Sequence, residues 1–89
     1  MKRTDILATA SEYVSIDRAA THGDAEDNFS RTADLWNAYL GMDDITSIDV
    51  AVMLAMLKVA RIRSNPTHVD NWIDLAGYAA CGGEIATGE

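Results

Sequence analysis

The stretch IDVAVMLAMLKVAR spans residues 48–61 and decides the fold class. Its apolar residues do not alternate with polar ones as they do in a strand, and elsewhere in the chain most apolar residues recur at spacings of three and four. A helix that is apolar almost all the way round belongs at the centre of a bundle or in an interface between subunits. We therefore predict an all-α protein that has this helix in one of those two positions.

Two amphipathic helices are predicted before this stretch. The first begins near Thr4, a favourable N-cap residue, and stops before Gly23, which can close a helix in the left-handed conformation. The second begins at Asp24 or Asp27, because a carboxylate is favourable at a helix start. Gly41 is expected to end this second helix.

A fourth helix is predicted after the apolar one. Thr46 and Asp49 have the spacing of a capping box, which predicts the start of the third helix. Pro66 breaks the chain and fits the first position of the fourth helix. That helix is expected to end near Cys81, because two consecutive glycines follow. The predicted architecture is a compact four-helix bundle with short loops.

Length and composition indicate one small domain that associates with itself. The chain has 89 residues and 48% of them are hydrophobic, whereas a domain of this size buries only about 60–65% of its unfolded surface. We expect one helical domain over residues 1–89, with a frayed tail at 84–89, that forms a homo-oligomer, a dimer or higher. The larger aromatic residues are expected to pack in the core or in an interface: Trp36, Tyr39, Trp72 and Tyr78.

Charge and cysteine content argue against several classes of protein. Fourteen acidic and seven basic residues give a formal net charge of -7, and a nucleic-acid-binding protein needs a basic patch. The single cysteine, Cys81, excludes an internal disulfide and a zinc site built from several cysteines. No apolar run of signal-peptide length follows the charged N-terminus, and the longest apolar run, residues 50–57, is too short to span a membrane. We therefore expect a cytoplasmic protein without a membrane partner.

The segment HGDAEDNF, residues 22–29, concentrates oxygen and nitrogen donors at a predicted helix boundary. One interpretation is structural: Asp24 or Asp27 caps the second helix, and His22 is favoured at the end of the first. The other interpretation is functional. In it Asp24 binds a metal ion, and His22 and Asn28 contact a ligand or a water molecule.

A second polar set lies in the apolar helices of the other half of the chain. Asp70 and Asp74 are four residues apart, so they share one face of the fourth helix, where a cation would remove their repulsion. Lys58 and Arg61 share one face of the third helix and could hold phosphates beside such a cation. The alternative for both pairs is a solvated surface with salt bridges.

The same residues carry a resemblance to known proteins. The pattern resembles small phage- and prophage-encoded proteins of an uncharacterised family over residues 20–86. It is more distantly similar to the MazG-like all-α nucleoside triphosphate pyrophosphohydrolases. The motifs concerned are His22-Gly23-Asp24, Asp27-Asn28-Phe29, Asp49-Val50-Ala51, the pair Lys58 and Arg61, and the run from Asp70 to Ala79.

The more distant resemblance implies nucleotide chemistry. MazG-like enzymes hydrolyse nucleotides between the α and β phosphates, with Mg²⁺ held by an EExxE helix and an ExxD helix, and they act as dimers or tetramers. On this chain Asp74 matches the aspartate of the second motif, and Asp70 replaces its glutamate at a spacing of four. No EExxE motif occurs, so residues of the segment 22–29 would have to replace it.

Two hypotheses from different classes follow. In the first, a phage protein binds a magnesium-nucleotide in the host cytoplasm, either with hydrolysis of the nucleotide or by binding alone. Asp24, Asp70 and Asp74 hold the Mg²⁺, Asp27 activates a metal-bound water, and the ligand contacts are made by His22, Asn28, Lys58 and Arg61. In the second, a non-enzymatic acidic protein blocks a host protein, for example a defence nuclease, by mimicking the charge of nucleic acid. The sequence leaves open the nucleotide, the hydrolysis, the oligomer count and the host target.

Overall fold

The computed structural model of the chain describes residues 1–15 and 24–88. Within these two ranges the protein is all-helical, which confirms the predicted fold class. The four helices found there are α1 (Arg3–Tyr13), α2 (Ala25–Leu40), α3 (Ser47–Ser64) and α4 (Val69–Thr87). None of these helices is long and apolar enough to cross a membrane.

Local sequence signals set the ends of α2 and α3 as predicted. Asp24 is the N-cap residue of α2, and Gly41 ends that helix in the left-handed conformation with φ 69°, which costs glycine little. At the start of α3 the Asp49 N–H donates to the Thr46 hydroxyl at 3.3 Å, and the Thr46 N–H donates to the Asp49 carboxylate at 2.9 Å. The capping box is therefore confirmed, whereas the predicted boundary at Gly23 lies outside the described residues.

The fourth helix differs from the prediction at both ends. It begins after the N-cap residue His68, not at Pro66. The Pro66 carbonyl instead accepts a hydrogen bond from the indole N–H of Trp72 at 2.9 Å, which holds the turn against the first turns of α4. The helix also continues beyond Cys81 to Thr87. The predicted end was wrong because packing against α3 outweighs the low helix propensity of the two glycines.

The main core lies between α2, α3 and α4. Its buried side chains are Phe29, Ala33, Val50 and Ala51, and the half-buried Trp36, Ile45, Leu54, Tyr78, Cys81 and Ile85 pack against them. The rings of Phe29 and Tyr78 lie 6.3 Å apart and link α2 to α4. The helix α1 also packs against α4 and contributes the buried Ala10. Ile73 of α4 is fully buried.

The central helix is α4, because it packs against each of the other three described helices. Against it α3 runs antiparallel: Ala51 near the start of α3 meets Gly82 near the end of α4, and Lys58 meets Asp74 farther along. The apolar helix α3 packs against α2 and α4 and leaves its other side exposed. The prediction that it lies at the centre of the bundle is therefore wrong, and an interface position stays a prediction.

Substitution by alanine should change the stability of the protein differently at two adjacent glycines of α4. A Cβ at Gly82 would lie 3.0 Å from the Cβ of Ala51, whereas a Cβ at Gly83 would meet nothing within 4 Å. Gly83→Ala should raise the free energy of unfolding by about 0.5–1 kcal/mol, because alanine is the better helix former. Gly82→Ala should lose that gain because α3 must move away. Urea denaturation of the two variants measures the difference, and equal stabilisation would contradict the close approach of α3 and α4.

Candidate functional site

One predicted metal ligand and one predicted phosphate ligand bind each other. The Nζ of Lys58 on α3 lies 2.9 Å from the Oδ2 of Asp74 on α4, and the two side chains are 11% and 32% exposed. Burying the charged amine of Lys58 without a partner would lower the stability of the fold by several kcal/mol. The ion pair therefore serves the helix interface, and it neutralises the carboxylate that was expected to attract Mg²⁺.

The other two predicted metal ligands lie apart. Burial raises the pKa of the Cys81 thiol, and the charges of Glu84 and Asp24 raise this pKa further. Asp24 therefore lies near Cys81, in the second half of α4. Asp70 is exposed and precedes Cys81 by eleven residues, which is about 16 Å along a helix axis.

The acids that the structure describes do not gather into one cluster. Within residues 1–15 and 24–88 there is no group of three or more His, Cys, Asp or Glu side chains that could hold a metal ion. The set Asp24, Asp70 and Asp74 is thus not brought together. Mg²⁺ in proteins is commonly held by one or two carboxylates together with waters and substrate phosphates, so magnesium binding stays a prediction.

The remaining predicted site residues do not converge on a pocket either. Asp27 and Arg61 are exposed. Asn28 is half-buried, and its side-chain oxygen accepts a long hydrogen bond from the Arg31 guanidinium at 3.4 Å. His22 lies outside the described residues, so its predicted contact with a ligand is not tested.

An exposed apolar surface lies on α3, the helix that the sequence predicted at the centre of the bundle or in an interface between subunits. We call it the outer face of α3. It consists of Val52, Met53, Met56 and Val59, with Ile48 and Leu57 at its margins. These six side chains are between 40% and 57% exposed. The spacing of these residues is visible in the sequence, but spacing alone does not tell which apolar side of the helix packs in the core of the domain and which side stays exposed.

Both ends of the outer face carry charge. Asp49 lies one turn before Val52, and Arg63 lies one turn after Val59. The spacings 49, 52, 56, 59 and 63 alternate between three and four residues, so these positions follow one stripe along the helix. The stripe is therefore acidic at its N-terminal end, apolar in the middle and basic at its C-terminal end.

Two of the four aromatic residues that were expected in the core or in an interface lie outside the core of the chain. Tyr39 on α2 is 89% exposed, and Trp72 is 42% exposed. Trp72 lines an open groove between α1 and α4, together with Arg3, Ile6, Leu7, Leu75, Ala76 and Ala79. Trp36 and Tyr78 are half-buried against the core, as predicted.

Comparisons with known proteins point to phages. A family model described as "Domain of unknown function (DUF6378)" matches residues 5–86. The Gene 55 protein of Mycobacterium phage L5 is 47% identical over 74 residues, which are 83% of the chain and 47% of that protein. The Gene 55 protein of Mycobacterium phage D29 is 36% identical over 76 residues, which are 85% of the chain and 50% of that protein.

These comparisons bear on two of the expectations. The chain spans about half the length of the curated relatives it matches, and no solved structure matches it. The expected resemblance to phage proteins is confirmed. The similarity to MazG-like enzymes stays a prediction.

Removing the ion pair should destabilise the protein more than removing a neighbouring exposed cation. Lys58→Ala takes away the buried stem and leaves Asp74 without its partner, so we expect a loss of about 1–2 kcal/mol in the free energy of unfolding. Arg61→Ala, a matched control on an exposed side of α3, should change it by less than about 0.5 kcal/mol. Equal losses in urea denaturation would show that the ion pair does not stabilise the interface.

The position of Asp24 can be tested through the reactivity of Cys81. Near pH 8 the thiolate fraction of Cys81 limits alkylation, and negative charges that raise the thiol pKa lower this fraction. Asp24→Asn should therefore lower the pKa of the Cys81 thiol and speed its alkylation by iodoacetamide. Asp70→Asn, the matched control, should have no effect because Asp70 is remote from the thiol. An equal effect of both variants would contradict the separation of the two aspartates.

Proposed function

We propose that this chain, which belongs to the DUF6378 family of phage proteins, is a protein-binding module that acts through the outer face of α3. The observation that carries the proposal is the exposure of six large aliphatic side chains on one helix.

The size of this surface supports a binding role. Half-exposed side chains of this kind present on the order of 500 Å² of apolar area, which is as large as the largest patch on a typical monomer. At about 25 cal/mol per Å², covering it would gain on the order of 10 kcal/mol before the entropy lost on association. A surface of this kind promotes association whenever a complementary surface is present.

The composition of the face also favours a protein partner. Met53 and Met56 are unbranched and polarisable, so they adapt to the shape of an opposing surface. The face contains no hydrogen-bonding side chain in its middle, where a nucleotide would need partners for its phosphates and base. An apolar helix face of this type matches another helix or a shallow apolar groove on a protein.

The nucleotide hypothesis has less support from the geometry. It needs Asp24, Asp70 and Asp74 around one cation, whereas Asp74 is paired with Lys58 and Asp24 lies near Cys81. Hydrolysis through a metal-bound water needs a bound metal ion, and the described residues contain no group of three or more His, Cys, Asp or Glu side chains that could hold one. That hypothesis therefore remains an expectation from resemblance.

The proposal keeps part of the second hypothesis drawn from the sequence. In that hypothesis the net charge of -7 speeds association with a basic host protein. Inhibition of a host protein by charge mimicry stays a prediction, because the outer face of α3 is apolar and does not resemble a row of phosphates.

Photo-crosslinking in cells tests the proposal. A photoreactive amino acid at Met56 should give a discrete crosslinked protein adduct, because this side chain is at the middle of the face. The same amino acid at Leu35 on α2, which is 65% exposed, serves as the control and should give none. A folded protein that yields no adduct from Met56, Val52 or Val59 would contradict a binding role for this face.

Calorimetry separates this proposal from the nucleotide hypothesis. Nucleotides titrated with Mg²⁺ into the purified protein should release or absorb no binding heat. Binding tighter than about 100 μM that is lost in Asp70→Asn and Asp74→Asn, with the fold intact by circular dichroism, would overturn the proposal in favour of a magnesium-nucleotide site.

A further inference from the structure

We propose that the outer face of α3 binds the same face of a second copy of this chain, antiparallel and about a two-fold axis near Met56. This inference rests on the proposed function, since it names the occupant of the same surface. Closed two-fold dimers are the commonest symmetric assemblies, and each uses one patch that is complementary to itself. Three observations show that this face meets that requirement.

The first observation is the order of charges along the face. Asp49 and Arg63 each lie seven residues from Met56, on opposite sides of it. An antiparallel pairing centred on Met56 therefore places Asp49 of each copy beside Arg63 of the partner copy, and it does so twice. A parallel pairing would instead place like charges together, so the charges favour the antiparallel order.

The charged residue at the basic end is available for such a contact. The ion pair within the described residues joins Lys58 to Asp74, and Arg63 is exposed without an ion pair to any of them. Asp49 accepts hydrogen bonds from Thr46 at the start of α3, which fixes its carboxylate at the end of the stripe. One partner of the proposed contact is thus held in place and the other is a long side chain that can reach it.

The second observation is the symmetry of the apolar middle. Met53 and Val59 lie three residues to either side of Met56. In an antiparallel pairing centred on Met56, Met53 of one copy therefore lies level with Val59 of the other copy. Met56 would face itself, and an unbranched side chain can pack against its own copy by changing rotamer. The pairing therefore buries apolar side chains against apolar side chains along the whole stripe.

The third observation is that the isolated chain has a small core. The buried hydrophobic residues among those described are Ala10, Phe29, Ala33, Val50, Ala51 and Ile73, and three of these six are alanines. Domains below about 100 residues have thin stability margins, and oligomerisation is a usual way to add apolar burial. A dimer through α3 would join two small cores into one larger apolar interior.

The competing occupant is a different polypeptide segment. The curated relatives are about twice as long as the part that this chain matches, so in them another segment could cover the face. The self-complementary order of Asp49, Met56 and Arg63 favours a second copy here. A monomer in solution would favour the other segment.

Analytical ultracentrifugation of the purified chain is the first test. The wild type should sediment as a dimer at about 0.1 mM, and Met56→Lys should sediment as a monomer with unchanged helicity. Leu35→Lys adds the same charge on α2 and should remain dimeric. A monomeric wild type, or a Met56→Lys variant that stays dimeric, would overturn the inference.

Cysteine crosslinking tests the position of the axis. In a Cys81→Ser background, Met56→Cys should form a disulfide-linked dimer on mild oxidation, because the two copies of residue 56 meet at the axis. Leu35→Cys is similarly accessible and should remain monomeric on a non-reducing gel. Equal crosslinking at both positions would indicate random collision and would overturn the assigned axis.

A charge-reversal cycle tests the antiparallel order. Arg63→Glu should weaken the dimer about tenfold, because two exposed ion pairs become two repulsions, whereas Arg61→Glu should not. In an Asp49→Lys background, Arg63→Glu should instead strengthen the dimer, because the two charges are again opposite. Loss of the capping box at Asp49 cannot produce this strengthening, since both proteins in the comparison lack it. The same weakening in both backgrounds would overturn the proposed contact between Asp49 and Arg63.

The crosslinking in cells described above separates failure of this inference from failure of the proposed function. An adduct from Met56 with the mass of two copies supports both. An adduct with another protein, together with a monomeric purified chain, overturns the dimer and leaves the binding role of the face. The absence of any adduct contradicts the binding role itself.

Discussion

The structure depends on the antiparallel contact between α3 and α4. Near one end of this contact Gly82 has no side chain, so the Ala51 methyl group of α3 can approach the backbone of α4 closely. Farther along, Lys58 enters the interface because Asp74 neutralises it at 2.9 Å. Small residues and a paired charge together fix one register between the helices, since a shift would place an unpaired amine or a clash in the interface.

This contact decides which surfaces remain uncovered. Because α4 packs against the other three described helices, its apolar residues find partners on several sides. The helix α3 is also apolar, but it is covered on one side only, and its outer face stays in contact with water. The same arrangement that builds the core of this small domain therefore leaves an apolar surface whose burial needs another molecule.

The acids and bases illustrate what helical spacing predicts and what it does not. Spacing correctly places Asp70 and Asp74 on neighbouring turns of one helix. It carries no information on which helix lies opposite, so the salt bridges expected as the alternative for these residues had no assigned partners until the structure paired Asp74 with Lys58. Asp24 was predicted at the start of a helix, and it lies there. Its charge raises the pKa of the Cys81 thiol, because α2 packs near the second half of α4.

The amino-acid sequence by itself determined the local features: the helical class, the capping box of Thr46 and Asp49, and the stop at Gly41. These depend on interactions within a few residues of the chain. Only the tertiary structure decided that α4 is central, that Gly82 lies inside a helix and that Met56 lies outside the core. The reason is physical: an apolar helix has several faces that can be buried, and its neighbours in space determine which one is.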